Sequence, residues 1–190
     1  MSSFNKEKIL NEIRDKGVQV KSINDLIKID KKYKDLIPII LKYLVEASDE
    51  TDKSWLVRCL GVNGFTEATD VLIDEYYKAS NRSSLKWTIG NTLSIILDKN
   101  SVDALLKIAQ EKEHGTSRQM VIVALGKLRN KKAIPVLLKL LYDEEVVAHV
   151  IWALSYFKDP SLIPFIEPFV NSKRPLVHNE AKKAIKKLSN

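Results

Sequence analysis

Three times the chain places a small or branched apolar residue, isoleucine and proline at the head of a helix-spaced apolar run: Leu36-Ile37-Pro38, Ala133-Ile134-Pro135 and Leu162-Ile163-Pro164. Self-similarity at a period of a few tens of residues marks stacked modules, each unable to bury its apolar face alone. Such a fold has no obligatory central cavity, so the search for function turns to surfaces. Aligning the apolar patterns between those prolines puts Asp70 and Ala104 in the two intervening slots, with steps of 32, 34, 31 and 29 residues.

Each module reads as two helices. The first opens at the proline slot, where a missing N–H is harmless in a first turn, and the second follows a short polar break. The breaks are Ser48 to Asp52, Ser80 to Ser83, Glu113 to Thr116, Asp143 to Glu145 and Asn171 to Arg174. The second helices superpose closely. Val146, Val150, Ala153, Leu154 and Phe157 answer Val177, Ala181, Ala184, Ile185 and Leu188, and also Ser117, Val121, Ala124, Leu125 and Leu128. That spacing puts five side chains on one helical stripe, with no sustained two-residue alternation to indicate a strand. Ahead of the modules, Phe4 to Lys16 reads as a helix closed by Gly17, and Ser22-x-x-Asp25 as the cap of a second short one. Residues 1–34 are therefore expected to form a helical cap that shields the first repeat, and residues 35–190 one elongated array.

The string Val121-x-x-Ala124-Leu125-Gly126-x-Leu128, followed by Ala133-Ile134-Pro135-x-Leu137-Leu138-x-x-Leu141-x-Asp143, resembles the HEAT-like repeat of bacterial proteins, including the phycobilisome lyase group. The resemblance extends over roughly residues 35 to 188 and is strongest from 117 to 188. It departs at Asp70, in the proline slot of the second module, and at Lys186, in the glycine slot of the fifth. It implies an all-α fold, a right-handed α-solenoid of about five helix pairs behind an N-terminal helical cap. It carries no catalytic residue.

Composition narrows the setting. At 45% hydrophobic and 29% charged residues, the 190-residue chain has enough apolar content for a core without staples. The lone Cys59 leaves no partner for an intrachain disulfide and reads as a small core hydrophobe, which fits a reducing, cytoplasmic location. Charges spread through Met1 to Gly17 leave no uncharged stretch for a signal peptide or a spanning helix, so no membrane association is expected. The formal charge of +7 comes from 31 basic residues interleaved with 24 acidic ones. Its excess is local: from Ile151 onward seven Lys or Arg stand against three acids.

In such arrays the second helices usually line the concave side. Counting back three from Gly61, Gly90, Gly126, Ser155 and Lys186 reaches positions about 140° from the buried stripe at about 100° per residue. Those residues are Arg58, Trp87, Val123, Trp152 and Lys183, with Trp55 and His149 on the flank three residues earlier still. Aromatic and cationic side chains interleaved on one ridge suit peptide anchoring, cation–π contact or base stacking. The same positions also suit a wedge between neighbouring repeats, in which case Trp87 and Trp152 are packing residues. A second row, Lys53, Arg82, Arg118 and His178, sits eight before Gly61, Gly90, Gly126 and Lys186, with Val147 interrupting it. It reads as a hydrogen-bonding ladder within the stack or as a set of phosphate contacts.

Other chemistry lacks support. His114, His149 and His178 are 35 and 29 residues apart, with no second histidine or cysteine at helical-neighbour spacing to complete a metal site. There is no glycine-rich phosphate loop and no Gly-x-Ser-x-Gly elbow. Glu67, Asp70 and Asp74 share a helix face expected to be solvated, and Asp143-Glu144-Glu145 stands at a helix start where the dipole favours negative charge. The expectation is a non-enzymatic scaffold or adaptor, free of cofactors, that grips a protein or peptide. The alternative is a nucleic-acid binder with the architecture of HEAT-like DNA glycosylases. A bilin lyase-like enzyme is a third reading, suggested by the repeat family alone.

Overall fold

The computed structural model describes residues 5–190, which form two compact units divided in sequence between Asp98 and Lys99. In the first, α1 (Lys6–Arg14) and α2 (Ile23–Leu26) precede the pair α3 (Ile37–Glu46) and α4 (Glu50–Cys59), then the pair α5 (Thr69–Lys78) and α6 (Ser84–Ile96). The second unit holds α7 (Val102–Gln110) with α8 (Gln119–Leu128), α9 (Ile134–Leu140) with α10 (Val147–Leu154), and α11 (Ile163–Ile166) with α12 (Pro175–Leu188). No strand occurs among the described residues. Five helix pairs thus lie where the polar breaks divide the sequence.

The N-terminal helices form for local reasons that the sequence states. The side chain of Asn5 accepts from the Lys8 amide at 3.1 Å to start α1, and Asp25 accepts from the Lys21 and Ser22 amides at 2.9 Å in a capping box that starts α2. Phe4, the expected first residue of α1, lies outside the described residues. Ile9, Leu10 and Ile13 bury the inner face of α1, which packs on α3. The contact has a polar edge. Tyr43 Oη donates to Glu12 Oε1 at 2.7 Å and Lys42 Nζ to the same oxygen at 3.0 Å, and these bonds hold the Glu12 carboxyl below its usual range. Burial, and then Glu12, pushes the Tyr43 phenol up.

Entry into three of the five first helices, α3, α9 and α11, follows one recipe. A side-chain oxygen of Asp30, Asn130 or Asp159 accepts an amide hydrogen at 3.0 Å two residues on, shaping a short 3-10 turn. The helix then opens with proline in its first turn at Pro38, Pro135 and Pro164. The third module differs by one residue from the apolar alignment. Because α7 begins at Val102 and buries Val102, Leu105, Ile108 and Ala109, it is Asp103, not Ala104, that stands second in the helix as the prolines do.

Three of the five second helices, α6, α8 and α10, are followed by a left-handed residue. Leu97, Arg129 and Lys158 each adopt the left-handed conformation, with φ of 59°, 54° and 54°, directly before Asp98, Asn130 and Asp159. A side chain there costs about 1 kcal/mol or more relative to glycine. Arg129→Gly is therefore expected to raise stability by about 0.5 to 1 kcal/mol, read as a higher midpoint in thermal or urea unfolding monitored by circular dichroism.

The core of each unit lies between the two helix layers. In the first, α4 packs against α3 and α6, and α6 against α5; in the second, α10 packs against α8, α9 and α12. The predicted stripe is buried at Ser117, Val121, Ala124 and Leu125, at Val146, Val150, Ala153 and Leu154, and at Val177, Ala181 and Ala184. Leu128, Phe157 and Ile185, on its margin, are half-buried. The second helices α8 and α10 approach closely at Gly126, where an added Cβ would stand 2.5 Å from the Cα and the carbonyl oxygen of Ala153.

Candidate groove between the second helices

The basic row is drawn into the stack. Arg118 is fully buried: Nε donates to Gly115 O and Nη1 to Ala109 O, both at 3.0 Å, and Nη2 to Asp143 Oδ2 at 2.9 Å. Lys53 is bonded to the buried carboxylate of Glu75, which also receives Lys78 at 3.0 Å. In both cases a cation at the head of one second helix reaches an acid near the end of the next first helix. His178 Nδ1 bonds to the carbonyl of Val170, and Arg82 is an exposed residue with φ of 61° in the break before α6. The structure thus places Lys53, Arg118 and His178 on protein partners.

The ridge residues fall in both units. In the first, the Arg58 guanidinium lies over the Trp55 ring at 5.5 Å from its centroid, and Trp87 on α6 is 41% exposed. In the second, Trp152 and His149 are half-buried and Lys183 is exposed, whereas Val123 is fully buried and presents nothing to a partner. Val123 is a correction to the sequence reading. Every residue of α8 from Met120 to Gly126 is buried, so that helix has no outward face at the ridge slot.

Trp152 and Lys183 stand on opposite walls of a cleft of about 420 Å³, completed by Ser155, Glu180, Ala184 and Lys187. On the α10 side, His149, Trp152 and Tyr156 form a row of rings with successive centroids 6.3 and 6.4 Å apart. Glu180, Lys183 and Lys187 follow them on α12 at a constant offset of 31 residues, so a ring row faces a charged row. Lys183 Nζ donates to Glu180 Oε1 at 2.8 Å. Lys187 Nζ lies 3.7 Å from the Tyr156 centroid and 3.4 Å from Ser155 Oγ, which itself donates to the Trp152 carbonyl at 2.7 Å. Burial, and then repulsion from Arg129 and Lys158, lowers the Lys187 ammonium from its usual range. Burial likewise lowers the His149 imidazole, against the opposing pull of Glu180, and keeps the ring neutral at neutral pH.

Tyr156 and Lys187 escape a reading that counts only backward from Ser155 and Lys186. Each directly follows one of those two residues and lies four past Trp152 or Lys183, and that spacing marks them as neighbours on the same face. Cys59 is buried, donates to the Trp55 carbonyl at 3.2 Å and has its thiol pushed up to about 12 by burial. Glu67, Asp70 and Asp74 are exposed, with Glu67 paired to Lys34 at 3.1 Å; the buried acid of α5 is Glu75. No group of three or more His, Cys, Asp or Glu side chains among the described residues is placed to hold a metal. Nor is any helix among them long and apolar enough to cross a membrane.

Residues 102–186 match the family of HEAT repeats. The fold is a HEAT-like repeat array. A designed armadillo repeat protein is similar over 87% of this chain and 90% of its own, at 16% identity and a TM-score of 0.51. An engineered protein from a structural genomics consortium is similar over 81% of this chain at the same identity and TM-score, and this chain spans 48% of its length. At that identity the likeness is one of fold, and it places the HEAT-like chain in the all-α, α-solenoid class. No curated protein sequence matches it significantly.

Proposed function

We propose that this HEAT-like protein is a non-enzymatic scaffold whose groove between α10 and α12 binds a segment of another protein. The observation that carries the reading is the row His149, Trp152 and Tyr156, tilted rings in succession, whose central member Trp152 lines a cleft opposite Lys183 and Lys187. Half-buried aromatics next to cations are the usual anchors of protein interfaces. HEAT and armadillo-type repeats commonly serve as such surfaces, offering contact area without a catalytic pocket. Nucleic-acid binding finds less support, because Lys53 and Arg118 spend their charge on Glu75 and Asp143.

Selection from a displayed peptide library, repeated with Trp152→Ala, tests the reading. The variant is expected to lose about 1 to 2 kcal/mol of stability, less than the ~3 to 5 kcal/mol of a fully packed tryptophan. Peptides enriched on the native protein are expected to lose at least about tenfold in affinity for it. Enriched peptides that bind Trp152→Ala undiminished, or no enrichment at all, would overturn the proposal.

A further inference from the structure

We infer that the groove receives an acidic peptide segment, with an apolar side chain resting on Trp152 and carboxylates reaching Lys187, Lys158 and Arg129 beyond it. This deepens the proposed function and rests on that groove being a protein-binding site. Lys34, Lys42, Lys53, Lys78, Arg118, Lys132 and Lys183 each have a carboxylate within ion-pair distance. Among the described residues, no carboxylate is paired with Arg129, Lys158 or Lys187, whose only polar side-chain contact is Ser155 Oγ. Arg129 and Lys158 both lie close enough to Lys187 to repel its charge, and cations so placed without a counter-charge favour an anion brought by a partner.

The local backbone does not account for these cations. Arg129 and Lys158 follow the ends of α8 and α10, where the helix dipole favours positive charge. Yet both sit at left-handed φ, where glycine would be the unstrained choice, so the turns themselves ask for no basic side chain. Continuity supplies the route. Lys187 lines the Trp152 cleft and also a second one of about 580 Å³, shared with Lys158, Pro160, Leu188, Ser189 and Asn190. On α12, Lys187 stands four residues past Lys183, which faces Trp152 across the cleft; that is roughly 6 Å at helical rise, which an extended peptide spans in about two residues. The ligand therefore has an order: apolar anchor first, acids from about two residues away. Glu180, set in the wall beside Lys183, opposes a continuous phosphate backbone but tolerates a peptide that is neutral at that end.

The test uses fluorescein-labelled peptides and polarisation anisotropy with the full chain. One peptide carries phenylalanine followed by a run of aspartates at that spacing, a second has the aspartates replaced by asparagine, and a third has the phenylalanine replaced by glycine. A thymidine oligonucleotide is the fourth probe. The acidic peptide is expected to bind at least about tenfold more tightly than either peptide control, and to weaken with added salt. The double variant Arg129→Gly/Lys158→Gly is expected to lose about tenfold for the acidic peptide alone while unfolding no more easily than the native chain, so lost binding is not lost folding. Equal binding of the aspartate and asparagine peptides, with both still dependent on Trp152, overturns the acidic ligand and leaves the groove reading intact. Oligonucleotide binding that displaces the acidic peptide, or failure of every peptide including library-selected ones, overturns both.

Discussion

Gly126→Ala is expected to destabilise the protein by about 3 kcal/mol or more, although alanine is ordinarily the better helix former by about 0.5 to 1 kcal/mol. The reason is a collision with main chain: the added Cβ would stand 2.5 Å from both Cα and O of Ala153, and 2.8 Å from its carbonyl carbon. A side chain could rotate away. The backbone of α10 can yield only if the helix moves, and α10 also packs on α9 and α12. Thermal unfolding of the variant is expected to begin roughly 6 to 12 °C lower, at about 2 to 4 °C per kcal/mol for a chain of this size. Gly61→Ala provides the comparison. Its Cβ would meet only the Arg58 carbonyl oxygen at 3.1 Å and the movable Ile95 Cδ1 at 3.6 Å, so a clearly smaller loss is expected. An equal loss for the two substitutions would show that close approach of α8 and α10 is not what Gly126 provides.

That contact illustrates what the sequence discloses and what it withholds. Apolar spacing and polar breaks locate all five helix pairs, because burying a stripe and interrupting it are local, periodic demands. Proline at 38, 135 and 164 marks helix starts for the same reason. In the third module, which has no proline, the apolar alignment puts the slot at Ala104, one residue past Asp103. The Gly126 slot is visible as a recurring small residue. Its cause is not, since the approach of Ala153 depends on the crossing of two helices 27 residues apart in sequence.

The candidate site is less legible. The slot that bears Trp87 and Trp152 bears Val123 on α8, where every residue from Met120 to Gly126 is buried; helical angle alone gives a direction, not what lies in that direction. Tyr156 and Lys187 complete the groove yet lie on the far side of Ser155 and Lys186 from Trp152 and Lys183. Glu75 sits one position from the exposed Asp74, and only its place beside Lys53 distinguishes a buried acid from a solvated one.

Arg118→Met is expected to cost about 3 to 5 kcal/mol, and it tests whether the basic ladder belongs to the fold. The guanidinium satisfies three groups at once: the carbonyls of Gly115 and Ala109 and the carboxylate of Asp143. Gly115 has φ of 55° and ψ of −134°, a conformation closed to other residues, and its carbonyl faces Arg118 because of it. Methionine fills much of the volume but leaves Asp143, which also caps the Glu145 amide at 3.1 Å, with a poorly solvated charge. Arg118→Lys is expected to recover only part of the loss, because a single ammonium cannot span acceptors that a planar fork reaches in three directions. Adding Asp143→Asn to Arg118→Met is expected to cost less than the two single changes summed, since the second removes the charge the first left stranded. Urea unfolding of the four proteins measures this coupling. Additive losses, or an Arg118→Met protein as stable as the native one, would return Arg118 to the candidates for contact with a partner.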